Sequence, residues 1–157
     1  MISVRHSAGV MIVVCVLSAA GFGQVDSKSL RAEFGKPINV MTKEVFAAAP
    51  HVQLSVSYDP VGQACVLVFL PDHWTKYRDR TQMGNQLEGL LKKAVPDKVR
   101  GKKLDEIVSI DGCAGSRMTR YERVDVSDTV FSGVNASCET QMQIEVRFTR
   151  KVCASPQ

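Results

Sequence analysis

Histidine is scarce in this chain: three residues among 157, one of them at position 6. That leaves His51 and His73 as the imidazoles available to a folded domain. No two cysteines are spaced as a CxxC pair, so the common structural zinc frameworks are excluded. No GxSxG elbow and no strand–GxxxxGK–helix loop occurs, which excludes the usual serine-hydrolase and phosphate-loop signatures. No run long and apolar enough to span a bilayer follows the first twenty residues.

The apolar run that is present, Ala8–Ala20, follows a short segment carrying Arg5 and precedes the small residues of Gly21-Phe22-Gly23. It is short for a membrane span and has no basic stop after it. Residues 1–23 therefore read as a signal peptide cleaved after Gly23, and 24–157 as a single domain. An uncleaved anchor is the alternative. Cys15 lies inside the run without a lipoprotein box before it. Loss of Arg5 leaves 19 basic against 16 acidic residues, a net charge of +3. That is far below the density expected of a nucleic-acid binder.

Four cysteines remain: Cys65, Cys113, Cys138 and Cys153. In an exported domain an even number implies disulfides, and four thiols allow three connectivities. Counting residues along expected strands favours Cys113–Cys153 with Cys65–Cys138.

The strongest local pattern is His51–Leu70. Val52, Leu54, Val56 and Tyr58 alternate with polar residues, Asp59-Pro60-Val61-Gly62 carries turn chemistry, and an apolar return strand follows. A three-residue turn pairing Asp59 with Gln63 would place Val56 opposite Val66, Leu54 opposite Val68 and Val52 opposite Leu70. Asp26–Phe34 predicts a short helix capped by Asp26 or Ser27 and stopped by Gly35 and Pro37. Ile38–Ala49 fits neither helix nor strand period. Thr81–Val95 predicts a helix with Met83, Leu87, Leu90, Leu91 and Val95 on one face and Asp79 with Gln82 as its cap. Arg117–Phe131 and Ser137–Arg150 predict a second hairpin about Ser132–Asn135. The expected fold class is α+β: short helix, β-hairpin, packing helix and second β-hairpin, in a mostly antiparallel sheet with helix on one face.

Candidate sites are few. Pro71–Arg80 mixes Trp74 and Tyr77 with basic residues, a pattern that can stack on and neutralise polyanions, but without a core strand pattern or glycine framework it reads first as a solvated connection whose aromatics pack back on the sheet. Lys92, Lys93, Lys98, Arg100, Lys102 and Lys103 form a basic run suited to an anionic surface, or simply a solvated loop. His73, beside Asp72 and with Glu88, Asp105 and Glu106 elsewhere, is the only candidate general base.

Several short motifs carry a family resemblance: Leu30-Arg31 with Phe34-Gly35-Lys36-Pro37, Tyr58-Asp59 with Gly62-Gln63-Ala64-Cys65, Val95-Pro96 with Arg100-Gly101, and Tyr121-Glu122-Arg123-Val124. Together they resemble small exported bacterial proteins of unknown function, of the type found in soil acidobacteria. That resemblance implies no activity. A short helix ending in Gly-x-Pro before a two-stranded meander is also similar to envelope-assembly lipoproteins of the outer-membrane-assembly small-subunit type and to β-lactamase-inhibitor-like folds. The chain departs from the lipoprotein pattern in lacking a lipidation cysteine.

The functional expectation is a disulfide-stabilised, exported, periplasmic or secreted domain that is not an enzyme. It would act as an envelope or secreted binding module for a partner protein or anionic surface. It would use no cofactor or metal and bind no nucleic acid. The alternatives are a small hydrolase using His73 and nearby acids, and a structural or inhibitor-like domain.

Overall fold

Asp26 starts the first helix of the computed structural model, which describes residues 24–41, 43–71, 80–111, 114–131 and 142–154. Its carboxylate accepts from the Ser29 backbone N–H (2.7 Å), and the Ser29 hydroxyl oxygen accepts from the Asp26 N–H (3.0 Å). This reciprocal cap satisfies two of the free amides at the start of α1, Ser27–Phe34. Gly35, at φ 81°, ends it. Strands β1 (Asn39–Val40), β2 (Glu44–Ala49), β3 (Val52–Tyr58) and β4 (Ala64–Pro71) follow as an antiparallel meander. Helices α2 (Arg80–Ala94) and α3 (Asp97–Arg100) carry the chain to the far edge. A second meander of β5 (Lys103–Asp111), β6 (Ala114–Tyr121), β7 (Val124–Phe131) and β8 (Gln143–Phe148) returns to the middle. The strand order is β1-β2-β3-β4-β8-β7-β6-β5, with β4 and β8 antiparallel at the join. The fold is α+β, built as a helical segment and a four-stranded meander, twice over.

The β3–β4 register corrects the expectation. Asp59 and Gln63 do pair, through the Asp59 N–H to the Gln63 carbonyl (2.8 Å), and Gly62 sits at φ 80° in the turn. A bulge then follows, so that Tyr58 faces Ala64 but Ser57 faces Val66. Val56 therefore lies opposite Leu67, Leu54 opposite Phe69 and Val52 opposite Pro71. The Ala64 N–H donates to the Val25 carbonyl (2.8 Å), outside the hairpin, where the N-terminal segment lies against the start of β4. A shift of one residue exchanges the two faces of a strand. Leu67 and Phe69 are consequently fully buried, while Val66, Val68 and Leu70 lie half-exposed on the other face.

Buried residues of β2, β3, β4, β7 and β8 form one core with Leu30 of α1, Met83, Leu87, Leu90, Leu91 and Ala94 of α2, Val95, and Val99 of α3. The opposite face carries Gln53, Ser55, Ser57, Glu145 and Arg147 between its few apolar side chains. Among the described residues no helix is long and apolar enough to cross a membrane.

Cys65 is bridged to Cys153, which corrects the expected Cys65–Cys138 and Cys113–Cys153 pairings. The reason lies in the second meander. Val124 faces Phe148, so Cys153 runs past the open end of β7 toward β3. There the Ala154 N–H donates to the Tyr58 carbonyl (3.0 Å). Cys113, Cys138, the Ser132–Asn135 turn, the Asp79 cap and the signal-peptide segment lie outside the described residues.

Candidate functional site

The second meander places charged side chains on its helix-facing side by register alone. Arg117 of β6 lies directly opposite Asp128 of β7, and Glu106 of β5 opposite Thr119 of β6. Tyr121 lies opposite Lys103. A bulge at Leu104 brings Lys103 and Glu106 to the same face. Together with Gly84, Asn85 and Glu88 of α2 these residues line a groove of about 530 Å³ between α2 and β5–β8. Leu87, Leu91, Val126 and Ile144 form its apolar part.

The polar groups of this groove are mostly paired. Asp128 Oδ2 accepts from Arg117 Nε (2.9 Å) and from a terminal nitrogen of the same guanidinium. That bond holds the Arg117 guanidinium charged more firmly than usual, against the cost of partial burial. Lys103 Nζ donates to Glu106 Oε2 (2.6 Å), holding the Glu106 carboxyl below the ordinary range. Arg100 lies in the wall, 5% exposed, with its guanidinium carbon 5.1 Å from the centre of the Tyr121 ring. It donates to the Tyr121 hydroxyl (3.3 Å) and to Asp97.

Among the described residues two atoms of the wall have no partner. Arg100 Nε and Asp128 Oδ1 are buried and make no hydrogen bond. A buried polar group without a partner costs about 1–3 kcal/mol, so natural folds rarely keep one unless something else meets it. The two atoms are complementary: Nε–H donates, and a carboxylate oxygen accepts.

Arg100 is held where it is by the link between α3 and the β6–β7 turn. The Arg123 side chain donates to the carbonyls of Val99 (2.7 Å) and Lys98 (2.6 Å), and its N–H donates to the Arg100 carbonyl (3.1 Å). Glu122 accepts from the Lys102 N–H (3.0 Å). Gly101, at φ 80°, allows the close approach: a Cβ there would stand 2.5 Å from Glu122 Oε2.

A second polar cluster lies at the other end of the sheet. Glu44 is buried and accepts from Ser27 Oγ (2.9 Å), Arg31 and the Tyr58 hydroxyl. Burial alone would raise its pKa. The bonds from Arg31, Tyr58 and Ser27 outweigh burial and hold it lowered. Burial, with the Glu44 carboxylate beside it, pushes the Tyr58 phenol well above its ordinary range. All of its oxygens are engaged, and it is a structural knot at the α1–β2–β3 junction.

The residues of the basic run do not form one exposed surface. Lys92 pairs with Glu88 (3.3 Å), Lys93 with Glu33 (3.6 Å) and Lys103 with Glu106. Arg100 is buried, which removes it from a surface patch. Lys98 and Lys102 remain exposed at the α3 end. His73, Trp74 and Tyr77 lie outside the described residues. Of the acids considered, Glu88 and Glu106 line the groove, whereas Asp105 is exposed and accepts from the Glu106 N–H (2.7 Å). Among the described residues no cluster of three or more metal-ligating side chains occurs.

The Arg117–Asp128 pair was not found in the sequence. The signal for it is the symmetry of Arg117 and Asp128 about Glu122-Arg123, the two-residue connection between β6 and β7. That connection lacks glycine, asparagine or proline, so nothing local marks it as a turn.

No protein-family model matches this chain, and no curated protein matches it. Among solved structures the chain is similar to that of a DUF4309 family protein (YjgB) from Bacillus subtilis subsp. subtilis str. 168. The two share 9% identity over 82% of this chain and 83% of the other, with a TM-score of 0.41.

Proposed function

We propose that this protein is an exported, non-enzymatic binding module whose ligand site is the groove between α2 and the second meander. The observation that carries this reading is the groove itself, about 530 Å³, with charged side chains of both signs beside an apolar part. The carboxylates, guanidinium groups and hydroxyls along it offer acceptors and donors to an amide or adjacent hydroxyls. The described charges of the groove are balanced, with Arg100, Lys103 and Arg117 against Glu88, Glu106 and Asp128. A balanced site favours a neutral, hydrogen-bonding ligand over a polyanion. The groove volume suits a molecule of small-ligand size.

The state of Glu106 supports binding over acid catalysis: Lys103 holds it ionised, so it has no proton to give near neutral pH. Asp128 is tied to Arg117. A hydrolytic role would rest on His73. The disulfide supports an oxidising compartment, and with it periplasmic or secreted localisation. Docking of the basic run on an anionic envelope surface is the second reading. It rests on exposed Lys98 and Lys102, since the other four members are paired or buried.

The test is a 1H–15N titration of the labelled protein with N-acetylglucosamine, a neutral probe bearing both an amide and hydroxyls. Amide shifts should centre on Thr119, Asp128 and Ile144 and vanish in Asp128→Ala. Shifts absent from these residues, or unchanged in that variant, reject the groove. Vesicles of anionic lipid form the second arm. Retention lost on charge neutralisation at Lys98 and Lys102 would favour the surface reading instead.

A further inference from the structure

The two edges of the sheet differ in kind. At one end β1 has two residues, too short to template another strand. At the other end β5 has nine, with β6 as its one neighbour in the sheet. Its large apolar side chains stay in water: Leu104 is 65% exposed, Ile107 54%, Val108 61% and Ile110 74%. Met118 of β6, opposite Ile107, is also exposed. A long apolar edge is the feature that folded proteins usually blunt; here the bulge at Leu104 and the charges Lys103, Asp105 and Glu106 guard its first half, while Ile107–Ile110 carries no charge, proline or bulge.

We infer that β5 is a self-association edge, pairing antiparallel with β5 of a second copy about a two-fold axis at Ile107. The sequence of the strand selects this register. With Ile107 opposite itself, Glu106 faces Val108 and Asp105 faces Ser109, and no like charges meet. Lys103 of each strand then takes the register position opposite Asp111 of the other. A slip of two residues one way sets Glu106 against Glu106. A slip of two the other way sets Asp105 against Asp111. A parallel in-register arrangement opposes every charge to itself. Like charges placed directly opposite destabilise a strand pair, so the pairing about Ile107 is preferred over these neighbouring arrangements and overlaps the whole strand.

The pairing closes on itself. Each chain has one such edge, and the two-residue β1 cannot continue the sheet, so the product is a dimer and not a filament. The two-fold axis is perpendicular to the sheet. Both grooves therefore lie on the same side of one continuous sheet, made of twice the eight described strands.

Sedimentation equilibrium of the purified full chain over a range of concentrations tests the inference. Twice the chain mass is expected at the upper end. Ile107→Lys sets two ammonium groups opposite each other at the axis and should weaken association at least ten-fold, with an unchanged circular dichroism spectrum. Ile107→Cys should form, on mild oxidation, an intermolecular bridge between the two introduced thiols, identified by non-reducing peptide mapping. A monomer at every concentration overturns the inference. So does a dimer that Ile107→Lys leaves intact, or an Ile107→Cys variant that does not cross-link at this position.

Discussion

Cys65, at the bulged start of β4, is joined to Cys153, 88 residues further along the chain. The bridge anchors the segment after β8 at the turn end of the β3–β4 hairpin. The N-terminal segment meets the same place through the Ala64–Val25 bond and the contact of Gln63 with Gln24 (2.6 Å). Both ends of the described chain are thus fastened to one hairpin, and the loop that the disulfide closes spans the entire second helical segment and meander.

A loop of that length sets the expected size of the effect. In the chain-entropy account its closure restricts the unfolded chain by about 4–5 kcal/mol. Replacing Cys65 and Cys153 together by Ala should lower the melting temperature by roughly 10 °C or more. Thermal denaturation measures this, and peptide mapping without reductant should return the Cys65–Cys153 peptide. An unchanged melting temperature would show that the second meander holds itself to β4 without the bridge.

Glu44 makes a pH-dependent contribution of known sign. Its carboxyl is lowered in the folded protein by bonds from Arg31, Tyr58 and Ser27 that outweigh burial. A lowered carboxylate stabilises the fold fully above its unfolded pKa, about 4.3, and that stabilisation is lost as pH falls through the lower folded value. Stability measured by urea titration should therefore decline on acidification below about pH 5. Glu44→Gln should flatten this decline while costing about 1–3 kcal/mol at neutral pH. Tyr58→Phe removes one donor and should cost about 1 kcal/mol with the acid limb retained.

Legibility in the sequence follows burial. α1 was readable because Asp26, Gly35 and Pro37 mark its ends with local chemistry. The β3–β4 turn was readable for the same reason, down to the Asp59–Gln63 pair. Its register was not, since the bulge at Ala64-Cys65 depends on contacts with Val25 and Cys153, distant in sequence. β5 and β6 escaped because period-2 patterning requires one buried face. On β5 the apolar residues Ile107, Val108 and Ile110 are all exposed, and on β6 the helix-facing positions are the polar Arg117 and Thr119. The groove was hidden with them: its charges converge through pairing across β5, β6 and β7, which no single stretch displays.

Gly101 sets the position of Arg100 and so of the groove wall. It combines φ 80° with a hypothetical Cβ only 2.5 Å from Glu122 Oε2 and 2.9 Å from Glu122 Cβ. Gly101→Ala must both adopt the left-handed backbone and displace Glu122 from the Lys102 N–H. A loss of about 1–3 kcal/mol is expected. Gly84→Ala, in the half-exposed interior of α2 at the groove with nothing near its Cβ position, should instead stabilise by about 1 kcal/mol. Chemical denaturation of the two variants gives opposite signs if the close approach, and not glycine flexibility in general, is what matters.

The Arg117–Asp128 pair divides stability from binding. Asp128 is buried and its Oδ2 relies on Arg117, whose own side chain is half in water. Arg117→Ala strands a buried carboxylate and should cost about 3 kcal/mol, as breaking one side of a buried ion pair does. Arg117→Lys keeps the charge but cannot reproduce the two-bonded fork, and should cost less. Asp128→Asn loses the charge attraction yet keeps an acceptor at the groove, so it should destabilise by about 1–2 kcal/mol while retaining affinity for a neutral ligand. Asp128→Leu removes the acceptor and should abolish binding. It also removes the unpartnered Oδ1 and lets Arg117 turn to solvent, so its stability should fall no further than that of Asp128→Asn. Urea titrations of the four variants, read beside their N-acetylglucosamine shifts, decide the matter. If binding tracks stability through the whole set, Asp128 is only a strut. If Asp128→Asn binds and Asp128→Leu does not at equal stability, the polar side chain at position 128 is part of the ligand site.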